Sequence, residues 1–321
     1  MSQLTVYQRY TISEMLQKGF SQTAIAVVIG KHKSVLSREI QRNCDKRSGE
    51  YRYELAQKKC AERHHIKPKK LHYTDTIKAY VIEKLGSKYS PEQIVGQALK
   101  DGVDCVSHER IYQHIWADKH KKGTLYTHLR TRGKRYRKRG NSKDSRGIVK
   151  DRVDIDERPA VVEERQRIGD LEIDTIIGEH HKGAIVTIND RTTGMLKMEL
   201  LQSKDAKELA RVTIETLQEW KPYLHTITSD NGKEFAEHKT ISKALDVAFF
   251  FAHPYHSWER GSNENLNGLI RQYIPKKTNF ETLTKEYVKY VETELNNRPR
   301  KRHNFETPNY IFNQKKVAFI T

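Results

Sequence analysis

The sequence predicts a multidomain chain, with an all-α first half and an α/β second half built on a mixed sheet. Three observations carry this expectation. Helical stripes with good N-cap residues occur twice before residue 118, a dense basic run follows, and residues 171–297 read as three strands and then alternating helix and strand. A length of 321 residues allows two domains, or three if some are small. With 36% hydrophobic and 31% charged residues, the chain is polar yet too apolar for full disorder. No run approaches the roughly 18 apolar residues of a membrane span, and Met1–Val6 lacks the charged-then-apolar start of a secretory signal. Three cysteines, Cys44, Cys60 and Cys105, cannot make a disulfide framework. A soluble protein of a reducing compartment is expected.

The first helix, within residues 4–20, places Ile12, Met15 and Leu16 on one stripe. Ser21 caps a second helix, which buries Ile25, Val28 and Ile29 and stops at Gly30. The third, Ser34–Asn43, shares Leu36 and Ile40 with the core and leaves Ser34, Ser37, Arg38 and Arg42 outside. A short helix, a tight turn and a helix with a polar, arginine-bearing face match a helix-turn-helix. A plain three-helix bundle with solvated arginines is the alternative, and a second copy of the pattern weighs against it. Ser90-Pro91-Glu92-Gln93 is an N-cap, an N1 proline and a capping-box Gln for a helix carrying Ile94, Val95, Ala98 and Leu99. Ser107 caps the next helix, with Val106 and Ile111 as a hydrophobic staple; Ile111, Ile115 and Trp116 turn in, and Arg110, Gln113 and His114 turn out. Residues 44–75 read as basic and weakly helical at best. The spacing of Cys44, Cys60, His64 and His65 fits no common four-ligand zinc pattern.

The net charge of +18 is unevenly distributed. Residues 1–118 carry +7, residues 119–150 carry +12, and residues 151–321 carry −1. Arg130–Arg146 alone holds nine basic residues in seventeen, including Arg135, Arg137, Lys138 and Arg139. A solvated linker seldom needs such density, so an arm that neutralises phosphates and gains from counterion release is expected. Its charge keeps it out of any core, which suggests a domain boundary near residue 150.

In the second half, Leu171–Ile177, Ala184–Ile188 and Met195–Leu201 read as strands. Asp205–Trp220 is an amphipathic helix, Leu224–Ser229 a strand, Glu234–Leu245 a helix, Val247–Ala252 a strand, and Ser262–Tyr273 and Glu281–Asn297 are helices. Three carboxylates fall at telling places in this scheme. Asp174 lies inside an apolar strand, where an unpaired charge is costly. Asp230 ends a strand just before an Asn-Gly turn, where open α/β sheets place their sites. Glu264 begins a helix, 33 intervening residues later. Brought together, three such groups repel unless a hard divalent cation neutralises them.

These segments resemble the insertion-sequence-thirty family of DDE transposases, and the likeness covers most of the chain. Leu4–Asn43 and Tyr89–Trp116 resemble that family's two helix-turn-helix segments. Arg158-Pro159-Ala160 together with Arg167–Gly178 resembles the segment of the first Asp, and Ile227–Phe235 that of the second. His253-Pro254-Tyr255 through Trp258–Asn265 resembles the Glu segment, and Asn296–Lys301 the C-terminal signature. Leu171, Ile173 and His303 stand where the family has Trp, Gly and Leu, and none of these is a ligand.

The resemblance implies an RNase H-like catalytic domain in which Asp174, Asp230 and Glu264 bind two Mg²⁺ ions, with Mn²⁺ able to substitute. Glu259 is the competing third carboxylate, ranked second because it precedes the helix entry. Arg271, seven residues beyond Glu264 and on the same helix face, is expected to touch a DNA phosphate. The implied function is binding the terminal inverted repeats of a bacterial insertion sequence, with metal-dependent strand cleavage and transfer into target DNA. A homo-oligomer on duplex DNA, in the cytoplasm and at the nucleoid, is implied by the same analogy. The expected domains are residues 1–45 and 81–118 as helix-turn-helix units, 46–80 as a basic connector, 119–155 as a basic arm and 156–321 as the catalytic domain. Two other functions compete. A DNA-binding regulator with an inert nuclease-like domain would be favoured by loss of any of the three carboxylates, and all three are present. A retroviral-type integrase calls for paired His and paired Cys near the N-terminus, and the chain has no Cys pair.

Overall fold

The computed structural model describes residues 3–66, 73–132, 149–254 and 256–320. Arg135, Arg137, Lys138 and Arg139 of the basic arm lie outside the described residues. Contacts group the chain into two compact units, residues 1–72 and 73–321. The main division therefore falls after residue 72 rather than near residue 150.

The first unit holds α1 (Val6–Gln17), α2 (Gln22–Val28), α3 (Lys33–Asn43) and α4 (Tyr53–Ile66). Side chains set the helix starts: Thr5 and Gln8 form a capping box on α1, Ser21 caps α2, and the His32 ring accepts the Ser34 amide at the head of α3. Ile12, Ile25 and Leu36 are fully buried at the centre, with Tyr51 and Ala56 completing the core. Val28, expected inside, is 60% exposed. Ile25, Ala26 and Ile29 form the inward face of α2, and at 100° per residue Val28 points well away from it.

Helix α4 corrects the expectation of weak helicity across residues 44–75. It packs on α1 through Ala56 and through Arg9, whose side chain is 4% exposed. Arg9 donates to Glu39 Oε1 at 2.8 Å, to the Leu4 carbonyl at 2.9 Å and to Gln57 Oε1 at 2.7 Å. A polar anchor thus supplies what apolar periodicity does not.

The second unit opens with α5 (Asp75–Gly86), α6 (Pro91–Lys100) and α7 (His108–His120). Helix α5 begins inside the stretch read as a connector, because Ile77, Val81 and Leu85 give it a buried face. The Ser90–Gln93 capping box and the Ser107 cap form as expected, and Val106 and Ile111 meet in the core. After the one-turn helix α8 (Val161–Glu164) come β1 (Asp170–Ile177), β2 (Ala184–Asp190) and β3 (Leu196–Leu201). Then follow α9 (Ala206–Leu217), β4 (Thr226–Ser229), α10 (His238–Leu245), β5 (Ala248–Phe251), α11 (Gly261–Ile270), α12 (Lys285–Asn296) and α13 (Pro308–Ile320).

The strands form one sheet in the order β3-β2-β1-β4-β5. The pairs β1–β2 and β2–β3 are antiparallel, whereas β1–β4 and β4–β5 are parallel. A three-strand meander extended by two parallel crossovers, with helices on both faces, is the RNase H-like fold. Gly169 fixes where β1 begins: at φ 92°, with the Tyr223 carbonyl where a Cβ would stand, only glycine fits.

Alternation along β1 sends Leu171 and Ile173 into the core beneath α9 and α10, and Ile176 into the core beneath α11 and α12. Glu172 and Asp174 share the face of Ile176, so both carboxylates look toward α11. The exposed edge of β3 is closed by side chains of α12. Asn296 accepts from the Leu196 amide and donates to the Leu196 carbonyl, both at 2.8 Å, and Glu292 accepts from the Met198 amide at 2.7 Å. A helix thereby supplies the missing ladder partners of an edge strand.

Helix α6 is fastened to the chain that follows α12. Gln93 donates to the Pro299 carbonyl and accepts from Arg298 Nε at 3.0 Å. Glu92 pairs with Lys301 at 2.7 Å, and Lys100 with Glu306. The Phe305 ring occupies the space where a Cβ on Gly96 would stand, so the close approach requires glycine.

Candidate active site

The parallel register of β1 and β4 pairs Asp170 with Thr226 and Glu172 with Thr228. Asp174 lies two residues further along β1 and Asp230 just past the end of β4, so both carboxylates fall at the same end of this parallel pair. Arg260, just before α11, spans the two. Its Nη1 lies 3.7 Å from Asp174 Oδ1 and its Nη2 lies 3.4 Å from Asp230 Oδ2. Asp174 also accepts from its neighbour's amide, Thr175 N, at 2.9 Å and from Asn267 Nδ2 at 2.8 Å. Burial pushes the Asp174 pKa up, Arg260 pulls it down, and the nearby Asp230 raises it further. Asp230 Oδ1 accepts from the Gly232 amide at 3.0 Å, which holds the turn after β4.

Glu264 sits in the first turn of α11, exposed to solvent. Three residues on is Asn267, the partner of Asp174, so the two lie on one side of the helix. The structure therefore brings Asp174 and Asp230 together around one guanidinium and presents Glu264 from the helix that touches Asp174. Glu259 is occupied differently. It accepts from the His253 amide at 2.8 Å and bonds the His253 and His256 rings at 3.0 and 3.1 Å, closing the turn before α11. The His253 pKa is raised, chiefly by its bond to Glu259. Among the described residues these three side chains are the one group of His, Cys, Asp or Glu spaced closely enough to hold a metal ion; the carboxylates of Asp174, Asp230 and Glu264 do not all approach one another so closely.

Sequence reasoning missed the layer behind these residues. Glu172 is fully buried on the same face of β1, accepts from the Asn263 amide at 3.0 Å and lies 3.4 Å from Arg191 Nε. Burial raises its pKa against the pull of Arg191. Thr175 Oγ1 donates to Glu234 Oε1 at 2.9 Å. The only signal for Glu172 was its two-residue spacing from Asp174, and nothing local marked Arg191 or Arg260.

A donor set of carboxylates and an amide oxygen suits a hard cation such as Mg²⁺. Among the described residues the buried oxygen Asn267 Oδ1 has no hydrogen-bond partner, as a position near an ion or its waters would require.

Of the residues read as DNA contacts, Ser37, Arg38 and Arg42 are exposed on α3, and Ser34 is half-buried. Arg38 donates back to the Ser34 carbonyl at 2.9 Å and to its Oγ at 3.0 Å. Arg110 and Gln113 are exposed on α7 and bond each other at 3.2 Å. His114, expected to face out, is half-buried instead. Its ring stands edge-on to Tyr73 at 5.0 Å, and burial lowers its pKa, because α5 and the segment before it cover that side of α7. Arg271 caps the end of α11 and donates to the carbonyls of Ile177 at 3.1 Å and Pro275 at 3.3 Å. Two of its five N–H groups thus tie the helix to the end of β1, and the others are uncommitted among the described contacts.

Residues 1–43 match the family described as helix-turn-helix domain. The chain is 52% identical to the transposase for insertion sequence element IS4351 of Bacteroides fragilis, covering 99% of both proteins. It is 31% identical to the transposase InsI for element IS30A of Escherichia coli K12, covering 97% of this chain and 83% of that protein. Among solved structures, the catalytic core domain of BIV integrase aligns with 47% of this chain and 97% of its own, at 16% identity and a TM-score of 0.39.

Proposed function

The chain belongs to the IS30-type family of insertion-sequence transposases, and from that premise we propose that Asp174, Asp230 and Glu264 form its metal-holding catalytic site. As a transposase the protein cleaves and transfers DNA strands. The observation that carries the site reading is that Arg260 spans Asp174 on β1 and Asp230 just past the end of β4, one guanidinium serving both carboxylates. In this reading Arg260 holds two like charges together that would otherwise repel. Mg²⁺, or Mn²⁺ in its place, would be held by Asp174, Asp230 and Glu264, supplying Lewis-acid stabilisation of the charge that develops on phosphorus oxygens. The chemistry is a displacement: a water or 3′-hydroxyl oxygen bonds to phosphorus, and the bond to the leaving 3′-oxygen breaks. Asn267 fixes the rotamer of Asp174, and Glu172 with Arg191 and Asn263 fixes the pitch of α11, which sets the reach of Glu264.

Helices α3 and α7 and the basic arm are the parts we assign to the terminal inverted repeats and target DNA, Arg38, Arg42, Arg110 and Gln113 being the exposed contacts. Work on paired ends calls for a homo-oligomer. Among the described residues no helix is long and apolar enough to cross a membrane, which suits a protein working on DNA at the bacterial nucleoid. The test is to incubate the protein with DNA carrying its own element's ends and to map nicks with Mg²⁺ and with EDTA. Nicks at the element boundaries, seen only with the metal, are expected. Cleavage that persists in EDTA would overturn the metal site.

A further inference from the structure

Within the unit of residues 73–321, a cavity of about 370 Å³ opens between α6–α7 and the face of α11 that carries Asn265 and Leu269. Its walls hold cations without counter-charges. Arg298 is 2% exposed, and its guanidinium donates to the neutral amides of Gln93 at 3.0 Å and Gln272 at 2.7 Å. Arg300 donates to the Leu295 carbonyl at 2.9 Å, and among the described residues neither arginine is paired with a carboxylate. Among the described residues Glu92 is the one acidic residue on the lining, and Lys301 already takes it at 2.7 Å.

Arg130 lies at the mouth. Its Nη1 donates to Asn265 Oδ1 at 2.6 Å, its guanidinium sits over Gly268, and Glu264 is the acidic charge it feels. The first residue of the Arg130–Arg146 run is therefore moored beside the proposed third ligand.

Buried cations without a counter-charge are costly, and burial lowers the pKa of both Arg298 and Arg300 in consequence. A cavity that keeps them is shaped for an anion. Its opposite wall is aromatic, formed by Tyr89, Tyr112 and Trp116, and among the described residues the buried His128 Nδ1 there has no hydrogen-bond partner. Phosphate alone would use the arginines but not this wall. A nucleotide uses both, with its phosphate on the guanidinium groups and its base against the rings. The room is that of a small-ligand site.

We propose that this cavity receives one unstacked nucleotide of the DNA strand being processed, with its phosphate on Arg130 and Arg300 and its base against Tyr112 and Trp116. Its place beside Glu264 would hold that strand in register with the cut. The proposal takes its substrate class from the transposase reading and depends on it for nothing else. A nucleotide already outside a duplex costs least to seat, so the full-length protein should prefer an unpaired end.

The experiment compares a short fluorescein-labelled duplex bearing unpaired adenines at its 3′ end with the same duplex blunt, by anisotropy and without metal. Wild-type protein should bind the tailed duplex about tenfold more tightly. Arg300→Gln and Tyr112→Leu should each reduce that preference to less than twofold, with blunt-duplex affinity and melting temperature close to wild type. Arg300→Lys, which keeps the charge, should restore part of it. Equal wild-type affinity for tailed and blunt DNA would overturn the proposal, as would an abasic tail bound as tightly as an adenine tail. A tail preference in a protein that nicks nothing would keep the cavity assignment and count against the metal site. Metal-dependent nicking without a tail preference would do the reverse.

Discussion

Helices α2–α3 lie in the segment that matches a helix-turn-helix domain, and α6–α7, which we propose as a second such pair, stand in a different setting. The first pair sits in a small unit with its own core around Ile12, Ile25 and Leu36, and α3 leaves Ser37, Arg38 and Arg42 exposed. The second pair is fastened within the unit that holds the sheet. Glu92, Gln93, Gly96 and Lys100 on α6 are all engaged by residues 298–306, and the cavity with its arginines lies along the joint. On the proposed reading, a reader in a unit of its own would find DNA without disturbing the site of cleavage. One built into the unit of the sheet would fix the distance between the sequence it touches and the bond that is cut. The C-terminal signature Asn296–Lys301 has a physical explanation here, since Asn296 closes the edge of β3 and Arg298 joins α6 to the sheet.

The sharpest way to break this comparison is to break the joint. Arg298→Ala leaves the side chains of Gln93 and Gln272 buried without their shared donor, at a cost of about 2–4 kcal/mol. Calorimetry of the full chain should show the transition of residues 73–321 falling by roughly 5–10 °C, with that of residues 1–72 unmoved. If both transitions fell together, the two units would not be independent.

Metal should separate the units in the opposite direction. Mg²⁺ or Mn²⁺ at a hundredfold excess over Kd should stabilise residues 73–321 by about 2.7 kcal/mol and leave residues 1–72 unchanged. Asp174→Asn should lose that response. Without metal it should melt no lower than wild type, because it removes a carboxylate whose raised pKa marks the cost of keeping it charged there. A metal-induced shift that survives Asp174→Asn would place the ion elsewhere, the His253–His256–Glu259 group being the obvious place to look.

A smaller effect is expected in the first unit. Arg42→Ala should weaken binding across DNA sequences and lower the slope of log affinity against log salt by about 0.9, one phosphate contact. An unchanged slope would remove Arg42 from the DNA face. The smallest effect concerns the turn before α11. His253, with its pKa raised above 6.5, adds stability that is full below pH 6.5 and is lost as pH rises through the raised value. Glu259, with its pKa lowered below 4.5, adds stability that is present above pH 4.5 and is lost as pH falls through the lowered value. The turn should therefore be tightest between about pH 4.5 and 6.5. Exchange of the His253 amide, corrected for intrinsic rate, should be more protected at pH 6 than at pH 8.5; equal protection would mean that the ion pair contributes nothing.

What the sequence disclosed, and what it hid, follows the range of the interactions. The caps at Ser21, Ser90 and Ser107 act over three residues, and the strands are short apolar runs bounded by turn residues, so both were legible. Asp174 stood out because a charge inside an apolar strand is conspicuous wherever its partners lie. Helix α4 was hidden because Arg9, a residue far back in the chain, anchors it in place of an apolar stripe. Glu172 draws its partners from Arg191 and Asn263, and Arg260 draws its own from two strands, so none of them had a local pattern to read. Val28 and His114 were misplaced because a helix's inward face is fixed by the neighbours that cover it, which α2's seven residues and Tyr73's position only reveal in the fold.

The central claim is that Asp174, Asp230 and Glu264 together hold the metal that cuts DNA, and it is tested most directly at Asp230. The measurement is the nicking rate of Asp230→Asn on DNA bearing the element's ends, at saturating protein and with Mg²⁺, beside Glu264→Gln and Glu259→Gln. Asp230→Asn and Glu264→Gln should bind that DNA as wild type does and cut none of it, whereas Glu259→Gln should be at most impaired. An Asp230→Asn protein that nicks at the wild-type rate would contradict the account, whatever its family.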